Sequence, residues 1–264
     1  MIKKIPTKDY DKLEALRFTE LKRFMLNTPR EFRYGEKPPP GAALDFGTLS
    51  HMALIESYNV DEHFIVYDEI NKTTGKPYGT TSDRYKKWRA ALPDDQVPGT
   101  QEEIDRARAM ASYVLAQEGV ELPPPNQREL TATAMVRGIL CKARADWLGG
   151  DNWLYDYKTA ENLSEWDFNA RKPWKGLMYH WQDAFYQTVF DAALVRAGLP
   201  PVNGFRFIVV NKKEPYDYLL REQTVTDLNH AKEEIAHGID SYRHCCDTDT
   251  WPGHHVEPGI FTPF

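Results

Sequence analysis

Arg144-Ala145-Asp146-Trp147-Leu148-Gly149-Gly150-Asp151-Asn152-Trp153-Leu154-Tyr155-Asp156-Tyr157-Lys158 decides how the rest of the chain is read. Gly149-Gly150-Asp151-Asn152 carries turn chemistry, because Gly, Asp and Asn tolerate positive φ and local side-chain bonding. A strand ending near Asp146 and a second strand over 153–159 are predicted on either side. Side chains alternate across a strand, so Asp156 and Lys158 share one face, with Tyr155 and Tyr157 on the other. The hairpin brings Asp146 beside Asp156. Neighbouring carboxylates repel, and a shared proton or a bound cation relieves them. Hard oxygen ligands suit Mg²⁺ or Mn²⁺. Lys158, on the same face, can orient or deprotonate a water, which completes the outline of a metal-assisted phosphodiester hydrolysis site. A surface ion pair between Asp156 and Lys158 accounts for the same spacing, so the rest of the chain has to separate the two readings.

The chain has 264 residues, enough for one large domain or two small ones, and its 41% hydrophobic and 12% aromatic content indicates a sizeable core. No apolar run approaches the roughly 20 residues that span a membrane. Met1-Ile2-Lys3-Lys4-Ile5-Pro6 has no apolar stretch behind its lysines, so no secretory signal is expected. Cys141, Cys245 and Cys246 make an odd set that fits a reducing compartment and falls short of the four thiolates of an iron–sulfur cluster. A net charge of −6 argues against a wholly basic nucleic-acid-binding surface but leaves room for a local basic channel.

Residues 7–27 read as helical, with Thr19 able to cap 20–27 and Leu21, Phe24 and Met25 on one face. Lys22, Arg23 and Arg30 fit a solvated face. The prolines of 36–41 require an extended connector. A second helix opens at 45–51, capped by Thr48 or Asp45, and carries His51, which on residue type alone is structural or a ligand. A short strand is expected over 63–68 and a polar loop over 71–78. Residues 82–92 form a helix that interleaves Arg84, Lys86, Lys87 and Arg89 with Tyr85 and Trp88, a pattern for a DNA backbone or for one buried aromatic stripe. Thr100 begins a helix to about 118. Residues 127–146 fold as two strands bent near Gly138, giving a three-strand meander with 153–159. A short helix over 164–170, a basic aromatic loop over 171–176 and a long helix over 177–197 follow. On that long helix Tyr179, Gln182 and Tyr186 share a face. Strands over 204–211 and 216–221 and a last helix over 224–247 complete an α/β pattern.

Taken together, these motifs resemble the PD-(D/E)XK nuclease superfamily and, within it, the RecE-like exonucleases (exodeoxyribonuclease VIII and phage relatives). The match lies in Asp146 followed by Asp156-Tyr157-Lys158, in Phe46-Gly47-Thr48-Leu49-Ser50-His51, in Gln182-Asp183-Ala184-Phe185-Tyr186 and in Trp251-Pro252-Gly253. The resemblance implies a restriction-endonuclease-like α/β core with a central mixed sheet flanked by helices. It implies one domain over 1–264, with a helical N-terminal part to about 125 and a catalytic core from about 126. It implies His51, Asp146, Asp156 and the Tyr157 backbone carbonyl as ligands of Mg²⁺ or Mn²⁺, with Glu129 as a further carboxylate. Lys158 then activates water, and Gln182 and Tyr186 line the DNA-facing side. Lys142, Arg144, Arg171, Lys172 and Lys175 are the candidate DNA-binding cations. The implied activity is processive 5′→3′ digestion of double-stranded DNA ends by a ring-shaped homo-oligomer feeding a single-strand annealing protein, in bacterial or phage-infected cytoplasm. An endonuclease of the same fold, a non-catalytic DNA-binding module and a small-molecule phosphoesterase remain the competing expectations.

Overall fold

The structure, a computed structural model, describes residues 1–36, 42–56, 63–79, 81–93, 96–164 and 177–254, with 42–45 described by backbone alone. Residues 37–41 of the expected connector lie outside the described residues, as do 165–176 with Arg171, Lys172 and Lys175 and the tail beyond 254.

The meander is the centre of the molecule. β5 (Arg128–Val136) and β6 (Ile139–Leu148) pair antiparallel through a two-residue loop, Arg137-Gly138, in which both residues have positive φ. That turn matches the twist of the flanking strands. β7 (Trp153–Ala160) returns antiparallel across the predicted 149–152 turn, where Asn152 has φ +60°. The pairing of β6 with β7 covers only Trp147 with Tyr155 and Leu148 with Leu154, so the strands part immediately before Asp146 and Asp156.

Two further hairpin strands and a crossover complete the sheet. β8 (Gly204–Asn211) lies parallel to β7, and β9 (Tyr218–Arg221) is antiparallel to β8. The parallel pair needs a helical crossover, which contains α7 (Tyr179–Arg196). At the other edge β1 (Ile2–Lys4) pairs antiparallel with β5, and β2 (Leu16–Arg17) pairs parallel with β6. The result is a mixed, mostly antiparallel sheet of seven strands with helices on both faces.

The N-terminal part departs from a run of helices because it supplies these two strands. Residues 7–27 divide into α1 (Thr7–Lys12), β2 and α2 (Phe18–Leu26). Thr19 is not the cap of α2. The helix starts at Phe18 behind Arg17, whose backbone N–H donates to Glu20. α3 (Pro29–Tyr34) follows, and α4 (Ala42–Ile55) begins before Asp45 and Thr48, which therefore lie inside it and do not cap it. α5 (Asp83–Ala90) sits between β3 (Phe64–Val66) and β4 (Val97–Gly99), which pair parallel. α6 (Gln101–Leu115) is capped by Thr100 through a reciprocal bond with Glu103. The last helix is α8 (Val225–Thr248), capped by Thr224.

Apolar side chains sort by face. α2, α7 and α8 cover one side with Phe24, Phe185, Phe190 and Phe205 at its centre, while α4 and α6 cover the other with Leu49, Ile104, Met110, Trp147 and Ile208. Among the described residues no helix is long and apolar enough to cross a membrane.

A candidate metal-dependent active site

The gap between β6 and β7 holds the site. Asp146 reaches into it, and its Oδ2 accepts the Tyr157 backbone N–H at 2.6 Å. In a strand the N–H and C=O of one residue point the same way, so the Tyr157 carbonyl also turns toward the gap. Asp156 is buried on the face toward α7, and Lys158 lies two residues on, its ammonium against Asp156 Oδ2. That oxygen is otherwise without a hydrogen bond among the described residues. Tyr155 and Tyr157 point to the α4–α6 side, where Tyr155 stacks on Trp147 with ring centroids 4.9 Å apart. The i, i+2 alternation predicted for β7 is the observed one.

α4 brings His51 to the same gap, with Nε2 2.9 Å from Asp146 Oδ1. His51, Glu56 and Glu129 each place a donor atom within 4.8 Å of the others. Glu129 opens β5 in a left-handed conformation, φ +55°, and lies 4.0 Å from the Lys4 ammonium. Glu56 was not anticipated as a site residue. Its sequence signal is a single carboxylate closing the apolar run Met52-Ala53-Leu54-Ile55.

These groups and a ring of larger side chains enclose a cleft of about 430 Å³. Tyr179, Gln182 and Tyr186 enter from α7 and line the cleft, as their spacing required. Gln182 is 6% exposed, and its Nε2 donates to Asp156 Oδ1 at 2.9 Å. Tyr186 is half-buried between Phe18 and Phe205 and borders the cleft. Lys22 also borders the cleft, contrary to the solvated face expected of it. Arg144 stands at the wall, its guanidinium over the Tyr10 ring and donating to Thr7 Oγ1 at 3.0 Å.

Lys142 is the clear correction. It is 3% exposed, and its ammonium donates to the Tyr10 and Leu13 carbonyls at 2.7 and 2.8 Å. It fastens the end of α1 to the sheet and cannot line a channel. Alternation put it on the face of Arg144 and Asp146, and α1 covers that position.

The charges explain one another. Burial disfavours an imidazolium at His51, but the Asp146 carboxylate and its hydrogen bond, with Glu129 and Glu56, outweigh this and push the group up to about 9. Burial also works against the Asp146 carboxylate, yet His51, Lys158 and the Tyr157 N–H hold it below the usual range. Asp156 is pushed up to about 6 by burial and by Asp146, against the pull of Lys158. Burial opposes the Lys158 ammonium, and the two aspartates reverse that and raise it.

A divalent cation fits this set: the donors are hard carboxylate oxygens, a backbone carbonyl and one imidazole, and His51, Glu56 and Glu129 already bring donor atoms within 4.8 Å of one another.

Asp183, the next residue along α7, points about 100° around the helix from Gln182. Asp183 is 1% exposed and accepts from Gln187 at 2.6 Å and from Gln223, just ahead of α8, at 2.7 Å.

Comparison with known proteins agrees with this geometry. A family described as “PDDEXK-like domain of unknown function (DUF3799)” matches residues 30–257. No curated protein sequence matches the chain. Among solved structures, the crystal structure of a “Putative exonuclease” from Eubacterium rectale is similar with a TM-score of 0.61 at 12% identity, covering 98% of this chain and 96% of that one. At that identity the likeness speaks for the fold alone. The chain belongs to the PDDEXK-like family DUF3799.

Proposed function

We propose that the protein is a divalent-metal-dependent DNA exonuclease acting on the ends of linear double-stranded DNA. The observation that carries this reading is the convergence of Asp146, Asp156 and Lys158 at the point where β6 and β7 part, inside an open cleft. His51, Asp146, Asp156 and the Tyr157 carbonyl hold Mg²⁺ or Mn²⁺, with Glu129 as an additional carboxylate. When bound, the ion supplies Lewis-acid polarisation of the phosphate and a water of lowered pKa. Lys158, its ammonium against Asp156, positions or activates the attacking water beside the metal. Gln182 fixes the Asp156 carboxylate through its amide N–H. Arg144 and Tyr186 meet the DNA at the cleft wall.

The resemblance to RecE-like enzymes extends the proposal to processive 5′→3′ digestion during recombination, by a closed ring that hands its single strand to an annealing protein in the cytoplasm.

The test is incubation of the protein and its Lys158→Ala variant with Mg²⁺ on linear duplex and on closed circular DNA. Loss of the linear DNA alone, abolished by the variant, is the expected result. Cutting of the circle would replace the exonuclease with an endonuclease of the same fold. If neither DNA is touched with Mg²⁺ or Mn²⁺, the catalytic reading fails.

A further inference from the structure

The stretch 71–90 has a charge unlike the rest of the chain. It holds Lys72, Lys76, Arg84, Lys86, Lys87 and Arg89 against the single carboxylate Asp83, a net +5 in a protein of net −6. It folds as a small polar loop, closed by a bridge between Ile70 and Pro77, leading into α5. No residue of α5 is fully buried. Its aromatic residues are already committed: Tyr85 and Trp88 pack on the buried Tyr67 at centroid distances of 5.2 and 4.8 Å. Arg84 is committed as well, paired with Glu69, which also accepts the Tyr67 hydroxyl. Lys72, Lys76, Lys86 and Lys87 are exposed. The unit is mounted on the site, because Gly99 of β4 lies against Leu49 of α4, the helix that carries His51.

We infer that this arm is a duplex-DNA docking surface that grips the phosphate backbone outside the cleft through Lys72, Lys76, Lys86 and Lys87. The inference rests on the DNA-nuclease reading and adds where the protein holds the substrate. A like-signed, exposed patch on an acidic protein selects a polyanion. Tyr85 and Trp88 are engaged in packing on Tyr67 and on each other, which weighs against base stacking. What remains is point-charge contact with phosphates, which is indifferent to sequence and released by salt. An enzyme that shortens DNA needs such a hold, one that does not depend on the bases passing through.

The test is fluorescence anisotropy with a labelled linear duplex, Ca²⁺ replacing Mg²⁺, across a salt series. The protein is compared with the quadruple variant Lys72→Ala/Lys76→Ala/Lys86→Ala/Lys87→Ala and with the corresponding quadruple Arg variant. The Ala variant is expected to bind on the order of 10- to 100-fold more weakly, with a slope of log affinity against log salt shallower by about 3. The Arg variant is expected to keep both affinity and slope, which separates lost charge from lost fold. An Ala variant with unchanged affinity and slope, in a protein that still degrades linear DNA, overturns the docking surface and leaves the nuclease standing. A wild-type protein that neither binds nor degrades duplex DNA overturns both.

Discussion

Gln182 donates its only described side-chain hydrogen bond to Asp156, a carboxylate that burial and Asp146 already push up to about 6. Removing the donor leaves an ionised Asp156 harder to form and free to turn. Gln182→Leu, close in volume, is therefore expected to raise the Mg²⁺ concentration for half-maximal activity by about 10- to 100-fold while leaving thermal unfolding near the wild-type value. A Mg²⁺ titration checks it, and unchanged metal dependence would reduce Gln182 to packing. The second residue-scale prediction concerns protons. His51, pushed up to about 9, carries its proton at neutral pH in the metal-free protein, and a nitrogen ligand must be deprotonated. Metal affinity should thus rise as pH rises toward 9. Calorimetry at pH 7.5 in buffers of different ionisation enthalpy should record release of about one proton per ion bound, and no release in His51→Gln. Asp146, Asp156 and Lys158 were legible in the sequence because turn chemistry and two-residue alternation suffice to place them. Glu56, the burial of Lys142 and the bond from Gln182 to Asp156 were not, because spacing gives a face and not the neighbour that covers it.

At the scale of elements, the hairpins and the long helices were legible and the smallest strands were not. The 204–211 strand coincides with β8 residue for residue, since an uninterrupted β-branched and aromatic run has one plausible state. β1 and β2 span three and two residues, too short for any period, and exist because β5 and β6 offer them a partner. The cap expected at Thr19 failed for the same reason: β2 carries the chain to Arg17, so α2 starts two residues earlier. Trp147 and Tyr155 form the last paired rung before β6 and β7 separate, and Trp147 is fully buried. Trp147→Ala should cost about 3–5 kcal/mol of stability. It should also slow hydrolysis, because the rung sets the width of the gap that holds Asp146 and Asp156. Urea unfolding alongside turnover measures both, and a stable, fully active variant would show the gap to be set elsewhere.

For the whole molecule, the α/β pattern followed from the order of elements and the mixed sheet with helices on both faces from the family resemblance, and the crossover between β7 and β8 places the site on the central strands. The use of the basic arm over 71–90 was not legible, since aromatic residues between lysines read equally as a stacking platform or as a small core, and only the packing on Tyr67 separates them. The proposed ring is a property of the assembly. Sedimentation should show a closed oligomer rather than a monomer. Dilution to monomers should shorten the length of DNA degraded per binding event while leaving the first cut intact. A monomer that is fully processive would remove the ring from the proposal.

Gln182 and Asp183 are neighbours on α7, about 100° apart around its axis, one bonded to Asp156 and the other to Gln187 and Gln223. A helix lying on a sheet is a rod that can roll about its own axis, and apolar packing alone resists rolling weakly. Asp183 acts as the key in the keyway. The bond from Gln223, which lies outside the helix, resists rolling and so helps to aim Gln182, while Gln187 stands on the helix itself. The anchor that steadies Gln182, and through it Asp156, therefore lies on a different side of the helix from the chemistry, buried where no substrate reaches it.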